Sequence, residues 1–257
     1  MPRQIDPAGL VGGINAVEAL IRKEPRRIRG LSLQRDSGNQ RLFALQRAAE
    51  EAGIHVRQIP AAQLSAWFPG PHEGAVAFCE SRALEDWAGI KEKMLMTARR
   101  ANPPVAVVPA ALEDPRNLGA CVRVCVGLGA VAMLLPGKGS TGLTPVASKA
   151  AAGTENALPI CRVPDIEKEL RDMAGRGFGI FGLDTHGEME AQDADLKGPI
   201  ILVVGGEDRG IPPHIARTLT RRLRLPMAEN CHSYNASVAL SLLLYETARQ
   251  RGFSGLK

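Results

Sequence analysis

Short apolar runs alternate with helical patterns over the second half of the chain, and this alternation limits the fold more than any other feature. The runs VAVVPA, AVAMLLP and PIILVVGG are apolar throughout, as strands are when both faces of a sheet are covered. Apolar residues recur at helical spacing between these runs and in the long final run NASVALSLLLYETARQRG. The pattern predicts a parallel α/β sheet whose ligands bind beyond the carboxyl ends of its strands.

A smaller α/β unit is predicted ahead of this sheet. It contains helical patterns and the strand-like runs IHVRQI and AVAFC. The two prolines of Asn102-Pro103-Pro104 mark a boundary after it. We therefore predict a first domain over 1–80, a linker over 81–102 and a second domain over 103–257.

Composition and charge argue against several classes of protein. The net charge of +5 suits a polyanionic partner, whereas 4% aromatic residues argue against a broad base-stacking surface. The chain starts without a signal-peptide pattern, and no apolar run is long enough to predict a transmembrane helix. Five scattered cysteines without a CxxC pair argue against a disulfide framework and a zinc site, and we interpret Cys121 and Cys125 as buried apolar residues. We expect a cytoplasmic protein with no metal and no membrane partner.

One glycine-rich loop suggests a different class of enzyme. Residues 137–142 read GKGSTG, which satisfies the GxGxxG pattern of a dinucleotide site after a strand. Thr144-Pro145, however, has the form of a helix N-cap and first turn, so the helix is predicted to begin after the pattern. A nucleotide-dependent oxidoreductase remains an alternative that this late helix start argues against.

Three other segments place polar residues next to strand or helix ends. The first is DPRNLGACVR over 114–123, where Asn117 can cap a helix that begins near it. The second is VVGGEDRG over 203–210, where strand-end glycines let a ligand approach the backbone. The third joins Leu225-Pro226-Met227 to SYNASVA over 233–239, ahead of the long last helix, which the serine and asparagine can cap.

Together, these segments resemble the three motifs of the SpoU/TrmH family of RNA ribose methyltransferases. The resemblance covers roughly 103–252 and includes the middle run TPVASKAAAGTE. It implies a parallel α/β sheet with a trefoil knot, S-adenosylmethionine as the methyl donor, and a homodimer formed through the second domain. The acceptor is then a ribose 2′-hydroxyl of structured RNA, and no metal is implied.

The resemblance also implies roles for residues of the three motifs. The expected catalytic residues are Asn117, Arg123, Glu207, Ser233 and Asn235. The expected donor-lining residues are Val204, Gly205, Gly206, Leu225, Met227, Tyr234 and Ala236. Two departures from the family pattern lie near the expected donor: Tyr234, where leucine is usual, and Asp208-Arg209 in the second motif.

Arg123 is expected to serve the transition state rather than to remove a proton. A guanidinium stays protonated in proteins, so it cannot readily act as a base. We expect Arg123 to contact the phosphate beside the target ribose and to stabilise charge developing on the hydroxyl oxygen. The proton then leaves either to that phosphate or to water.

The first domain resembles, more distantly, the substrate-binding module that precedes many such catalytic domains. The matching runs are GINAVEAL at 13–20 and HEGAVA at 72–77. That module is a ribosomal-protein-like α/β unit that grips structured RNA, which favours 23S rRNA over tRNA as substrate. A non-catalytic RNA-binding protein on the same fold is the alternative from another class. The residues expected to bind RNA are Arg22, Lys23, Arg26, Arg27 and Arg29, for which a solvated helix end is the competing interpretation.

Overall fold

The chain forms two compact units. The computed structural model describes residues 10–68, 71–79, 84–139, 141–206 and 209–256. The first unit takes in the described residues up to 79 together with 143–153, and the second takes in the other described residues from 84 onward. Within the described ranges, no helix combines the length and the apolar character that crossing a membrane requires.

Strands and helices follow one another along the chain within the described ranges. The first are β1 Leu10–Gly12, α1 Ile14–Lys23, β2 Ile28–Gln34, α2 Gln40–Glu51, β3 Val56–Ile59, α3 Ala61–Trp67, β4 Ala75–Cys79 and α4 Trp87–Thr97. The next are β5 Val105–Pro109, α5 Pro115–Gly127, β6 Ala132–Pro136, α6 Pro145–Ala151, β7 Ile160–Val163 and α7 Ile166–Gly175. The last are β8 Gly179–Leu183, β9 Met189–Glu190, β10 Ile200–Val204, α8 Pro213–Ala216, β11 Arg221–Arg224 and α9 Ala236–Gln250.

A mixed sheet of four strands forms the first unit. Strand β4 lies between β1 and β2 and is antiparallel to both, and β3 is parallel to β2 at the edge. Apolar residues of α1 and α2, among them Val17, Leu20 and Leu45, pack into one core with Leu31 and Leu33 of β2. The spacing of these residues places them on one face of each helix, which explains why both helices form against the sheet.

A parallel sheet of seven strands forms the second unit, in the order β7-β6-β5-β10-β8-β11-β9. Every neighbouring pair is parallel, which confirms the sheet predicted from the apolar runs. Strands β5, β6 and β10 are buried along their whole length, as expected for strands covered on both faces. Because all strands run the same way, the loops after β10, β8 and β11 meet at one edge of the sheet.

Two segments lie in units other than those predicted. The predicted linker 81–102 contains α4, whose Ile90 and Met94 are buried in the core of the second unit. The predicted second domain 103–257 contains α6, which belongs to the first unit and contacts β1. Both segments are held by partners far away in sequence, and local apolar spacing carries no information about such partners.

Candidate active site

A cavity of about 390 Å³ lies at the carboxyl edge of the parallel sheet. Its wall is built by the loops that follow β8, β10 and β11 and by the start of α9. A cavity of this size suits a small-molecule ligand. All seven residues predicted to line a donor site are part of its wall: Val204, Gly205, Gly206, Leu225, Met227, Tyr234 and Ala236.

The glycines after β10 are required by close backbone contacts. A Cβ atom on Gly205 would lie 2.2 Å from the carbonyl carbon of Gly210, and one on Gly206 would lie 2.3 Å from the carbonyl oxygen of Ala111. Gly206 and Gly210 also exchange two backbone hydrogen bonds, of 3.2 and 3.0 Å. The second motif therefore folds back on itself at the strand end, which leaves backbone rather than side chains along the cavity wall.

Tyr234 holds the loop of the third motif against the end of β11. Its hydroxyl donates a hydrogen bond to the carbonyl oxygen of Pro226 at 3.2 Å. This bond spans the loop between the two halves of the motif, and Tyr234 lines the cavity between them. The leucine that is usual at this position has no hydroxyl to make such a bond.

A second cavity, of about 250 Å³, adjoins the first. Gly206 and Arg209 line both cavities, so the second motif forms the wall between them. The side chain of Arg209 is exposed at this junction and adds a permanent positive charge to it. The other lining residues of the second cavity come from the first motif and the loop before it: Ala111, Leu112, Glu113, Asp114 and Asn117.

A hydrogen bond joins the first and third motifs. The Nδ2 amide of Asn235 donates to Oδ1 of Asn117 at 3.0 Å. Oδ1 of Asn235 accepts a hydrogen bond from the backbone N–H of Ser237 at 3.0 Å, so Asn235 is the N-cap of α9. The prediction that Asn117 caps its helix is wrong: Asp114 caps α5 at 2.8 Å, because Pro115 takes the first helical position.

The other predicted catalytic residues are placed differently. Ser233 lines the first cavity, whereas Glu207 lies outside the described residues, as does Asp208. Arg123 is exposed on α5 and lines neither of the two cavities. Six residues of α-helix correspond to a rotation of about 240° from Asn117, which turns Arg123 away from the cavity that Asn117 lines.

Polar residues that directly follow β8 also belong to the site, although the three motifs do not predict them. Asp184 and Thr185 line the first cavity, and Oδ1 of Asp184 accepts a hydrogen bond from the backbone N–H of His186 at 2.9 Å. His232, in the third motif, was missed as well and also lines this cavity. The run FGLD offered a signal, because an acidic residue directly after a buried parallel strand stands at the ligand-binding edge.

Thiol chemistry is not available on α5. Cys121 and Cys125 are both buried, which confirms their interpretation as apolar residues. Burial raises the pKa of Cys121 to about 12, so this thiol stays protonated at neutral pH and is a poor nucleophile. Within the described ranges, no group of three His, Cys, Asp or Glu side chains is placed to hold a metal ion.

Two family models match the chain, one over each part. Residues 104–245 match the SpoU rRNA Methylase family, and residues 10–84 match the model described as RNA 2'-O ribose methyltransferase substrate binding. This chain belongs to the SpoU rRNA methylase family. The family motifs thus coincide with the cavity walls, the wall between the two cavities and the hydrogen bond between Asn117 and Asn235.

Curated relatives align over most of the chain. One is a 23S rRNA (guanosine-2'-O-)-methyltransferase RlmB of Pseudomonas putida, 34% identical, with 93% of this chain and 95% of that protein covered. The protein of the same name from Coxiella burnetii is 31% identical, with 93% and 94% covered. A putative TrmH family tRNA/rRNA methyltransferase YacO of Bacillus subtilis is 30% identical, with 79% and 80% covered.

Solved structures show the same fold. The SpoU methyltransferase AviRb from Streptomyces viridochromogenes, in complex with AdoMet, aligns with a TM-score of 0.72 and 23% identity, covering 95% of this chain and 91% of that one. A structure described as an RNA 2'-O ribose methyltransferase aligns with a TM-score of 0.75 and 23% identity, covering 94% and 88%.

Membership of the methylase family decides against the oxidoreductase interpretation of the GxGxxG loop. The described residues of 137–142 line neither cavity, and α6 begins after the loop, with Thr144 as its N-cap. Gly137 has a packing role instead, since a Cβ atom there would lie 2.8 Å from Cα of Pro164.

The predicted RNA-binding cluster lies at the end of α1 and the start of β2. Arg22, Lys23, Arg26 and Arg29 are exposed. Arg27 is half-buried and forms an ion pair with Glu24, so its charge is partly neutralised within the unit. Four side chains of the cluster are thus exposed, and the fifth, Arg27, also has a structural role.

Proposed function

We propose that this protein transfers the methyl group of S-adenosylmethionine to the 2′-hydroxyl of a guanosine ribose in 23S rRNA. The observation that carries the proposal is the pair of adjoining cavities, which share Gly206 and Arg209 at the carboxyl edge of the sheet. Methyl transfer requires a donor and an acceptor held in line with water excluded, and two sites with one common wall suit that requirement. The names of the relatives support the choice of RNA and nucleoside.

The first cavity is the proposed donor site. Its wall joins the apolar side chains of Val204, Leu225 and Met227 to backbone and to the carboxylate of Asp184, which suits a donor with apolar and positively charged parts. S-adenosylmethionine supplies a methyl group on a positively charged sulfur, which opens that carbon to attack by oxygen. Ser233 and the backbone at Gly205 and Gly206 orient the ligand within the cavity.

The second cavity is the proposed acceptor site. Asn117 lines it, and its hydrogen bond to Asn235 fixes the amide beside the wall of the donor site. Arg209 provides a positive charge where the 2′-hydroxyl loses its proton and its oxygen becomes negative. Glu207 completes the proposed catalytic set on the strength of the family resemblance.

Arg123 is proposed to act across a homodimer interface. Within one chain it lines neither cavity, so its guanidinium is available to a neighbouring subunit. An apolar stripe on α9 supports such a dimer: Val238, Leu242 and Tyr245 lie at helical spacing and are 45%, 42% and 54% exposed. In the dimer, Arg123 binds the phosphate beside the target ribose, and the released proton passes to that phosphate or to water.

The proposal also includes a trefoil knot in the carboxyl part of the sheet domain and a cytoplasmic place of action. Likeness to solved SpoU methyltransferases supports the knot, and an rRNA substrate supports the location. Residues 1–80 are proposed as the module that binds rRNA, with the basic cluster as one of its contacts. The match of residues 10–84 to a substrate-binding model supports this division of roles.

Methylation mapping tests the proposed function. The full chain is incubated with S-adenosylmethionine carrying a labelled methyl group and with either 23S rRNA or tRNA, and the labelled RNA is hydrolysed with alkali. We expect label in 23S rRNA alone, at a guanosine whose following bond resists alkali, because a methylated 2′-hydroxyl cannot attack the phosphate. Label in tRNA alone would show that tRNA is the substrate instead of 23S rRNA. A labelled site that alkali still cleaves would show that the methyl group is not on the ribose 2′-hydroxyl. RNA binding without transfer would favour the non-catalytic alternative.

A further inference from the structure

The first unit contains a recess of about 140 Å³ between the end of β2 and the first turns of α2. Its floor is apolar, because Leu33 and Leu42 are buried beneath it. Neither predicted set of binding residues includes any part of it. The lining residues are Leu33, Gln34, Asp36, Ser37, Leu42, Phe43, Gln46 and Gln58.

Phe43 is the unusual residue of this recess. Its side chain is 57% exposed, although its neighbours Leu42 and Leu45 on α2 turn into the core. Single exposed apolar side chains are common on protein surfaces, but this ring borders a recess with an apolar floor, and together they offer a ligand a continuous apolar face. A flat ligand lying on this ring would remove apolar area from water on both partners.

Two glutamine amides stand next to the ring. Nε2 of Gln58 donates a hydrogen bond to Oε1 of Gln46 at 3.1 Å, and Nε2 of Gln46 donates to Oε1 of Glu50 at 2.8 Å. Each amide group has two N–H donors and a carbonyl with two lone pairs. One N–H group on each glutamine and the side-chain carbonyl of Gln58 therefore remain for a ligand. Together they form an edge that contains both hydrogen-bond donors and an acceptor.

Arg35 brings a positive charge next to the lining residues of the recess. Nη2 of Arg35 donates a hydrogen bond to the backbone carbonyl of Gln58 at 3.5 Å, which holds the guanidinium beside the amides. The remaining N–H groups of Arg35 are free to meet a phosphate. The acidic side chains nearby are Asp36, which is exposed in a left-handed turn with φ 56°, and Glu50, which is engaged by Gln46.

From these contacts we propose that the recess binds one unpaired RNA nucleotide. The base stacks on Phe43, its polar edge meets the amides of Gln46 and Gln58, and its phosphate meets Arg35. Unpaired bases in RNA are recognised in this way, by an aromatic face together with hydrogen bonds to base edges. The inference rests on the proposed function in that RNA is the substrate.

This nucleotide is separate from those at the basic cluster. The cluster surrounds the first residues of β2, whereas the recess lies at the last ones, and seven strand residues span roughly 20 Å. The two places therefore contact different parts of one RNA. The recess would distinguish an unpaired base from a duplex, whereas phosphate contacts at the cluster would not depend on the base.

Binding measurements on the full chain test the inference. The variants are Phe43→Leu, which keeps apolar volume without a ring, Phe43→Trp, which keeps a ring, and Arg35→Gln. The control is Arg57→Gln, since Arg57 is exposed on the opposite face of β3 from Gln58. The probes are transcribed 23S rRNA and single-stranded oligoribonucleotides of each base, titrated over a range of salt concentrations.

We expect Phe43→Leu to weaken binding of both probes by about tenfold with an unchanged salt slope, because stacking carries no charge. Phe43→Trp should retain affinity, and its fluorescence should be quenched by the oligoribonucleotides beyond the signal of Trp67 and Trp87 in the unchanged chain. Arg35→Gln should reduce the salt slope by about one, while Arg57→Gln should not. All variants should melt like the unchanged chain, because the substituted side chains are exposed.

Wild-type affinity in Phe43→Leu, or an absence of quenching in Phe43→Trp, would overturn the inference. Either result in a chain that still methylates 23S rRNA would leave the proposed function intact. If the unchanged chain transfers no methyl group, the proposed function is wrong. The quenching of Phe43→Trp by oligoribonucleotides would still decide whether the recess binds a nucleotide. If Phe43→Leu binds more weakly and its melting curve has collapsed, Phe43→Trp decides the matter. That variant must fold and bind RNA for the inference to stand.

Discussion

Arg123 combines a permanent charge with an exposed position on α5, so its substitution should affect chemistry without affecting the fold. Arg123→Ala should melt like the wild type, because alanine is a good helix former and no buried contact is lost. Donor affinity should also persist, since Arg123 does not line the donor cavity. Methyl transfer should fall by about a hundredfold or more, the usual effect of losing one preorganised charge contact.

Single-turnover methylation with saturating donor and 23S rRNA measures this effect, alongside a melting curve. Arg123→Lys should restore little activity if the guanidinium binds two phosphate oxygens as a fork. Near-normal turnover in Arg123→Ala would refute the assignment, and a collapsed melting curve would make Arg123 a structural residue.

Asn235 has two separable roles, because its side-chain oxygen Oδ1 caps α9 and its side-chain nitrogen Nδ2 donates a hydrogen bond to Asn117. Asn235→Ala removes both and should lower the free energy of unfolding by about 1 kcal/mol, as the loss of an N-cap does. Asn235→Ser keeps a capping oxygen, but its short hydroxyl side chain cannot cap α9 and also reach Asn117, so it should melt near the wild type yet transfer methyl groups more slowly. Chemical denaturation and single-turnover assays give the two quantities. If Asn235→Ser is fully active, the bond to Asn117 serves only to join the motifs.

At the scale of elements, the sequence predicts the strands better than it predicts where helices begin or which unit a helix packs against. β5, β6 and β10 are recognisable because burial on both faces leaves them apolar throughout. The first motif predicts that α5 begins near Asn117, whereas the helix begins at Pro115, and the Asp-Pro pair is itself a start signal. Lys91 of α4 forms ion pairs with Glu169 and Asp172, some eighty residues later in the chain, and no local pattern reveals such partners.

The donor cavity was predictable for a related reason. Its wall consists of residues directly after buried strands, where a parallel sheet binds its ligands, and glycines there are visible in the sequence. The recess around Phe43 was not predictable. An exposed phenylalanine on a helix looks like a core residue in the sequence, and its exposure follows from how α2 packs on β2.

The attachment of α4 should depend on pH. Nζ of Lys91 lies 2.6 Å from Oε2 of Glu169 and 2.8 Å from Oδ2 of Asp172. The hydrogen bond from Lys91 lowers the pKa of Glu169, and hydrogen bonds from Arg176 and Lys91 lower the pKa of Asp172 to about 2. Because both pKa values are lower in the folded chain, the stability from these carboxylates is present above about pH 4 and is lost as the pH falls toward 2.

Lys91→Met should therefore lower Tm at neutral pH by roughly 1–4 °C, and the difference from the wild type should narrow as the pH falls from about 4 toward 2. Lys93→Met is the matched control, because Lys93 is exposed on the same helix and its side chain makes no described ion pair. Thermal melting at several pH values gives the comparison. A difference that stays constant with pH would show that the ion pairs do not contribute to attachment.

At the scale of the whole molecule, the two compact units match the proposed division between RNA binding and methyl transfer. The first unit holds the basic cluster and the recess around Phe43, and the second holds both cavities. The sequence predicts two domains but not which segments belong to each. Helix α6 lies between the first and second motifs in the sequence and yet belongs to the first unit. Its contact with β1 joins segments more than one hundred residues apart.

A homodimer through α9 should be necessary for transfer but not for donor binding. Leu242→Glu puts a charge into the exposed stripe of Val238, Leu242 and Tyr245, where burial against a partner would leave that charge unpaired at high cost. Met96→Glu is the control, because Met96 is an apolar residue of the same unit that is 68% exposed on a different helix, α4. Light scattering should give half the mass for Leu242→Glu and an unchanged mass for Met96→Glu.

Calorimetry should then show donor affinity within a few-fold of the wild type in Leu242→Glu, because one chain already brings all seven predicted donor-lining residues together around a cavity. Methyl transfer should fall about as far as it does in Arg123→Ala, since loss of the partner removes the same guanidinium from the acceptor site. A wild-type chain that is monomeric at micromolar concentration, or a monomeric Leu242→Glu that transfers normally, would contradict this account. Arg123 would then have to reach the acceptor within its own chain, by a rearrangement of α5 that brings both Asn117 and Arg123 to the second cavity.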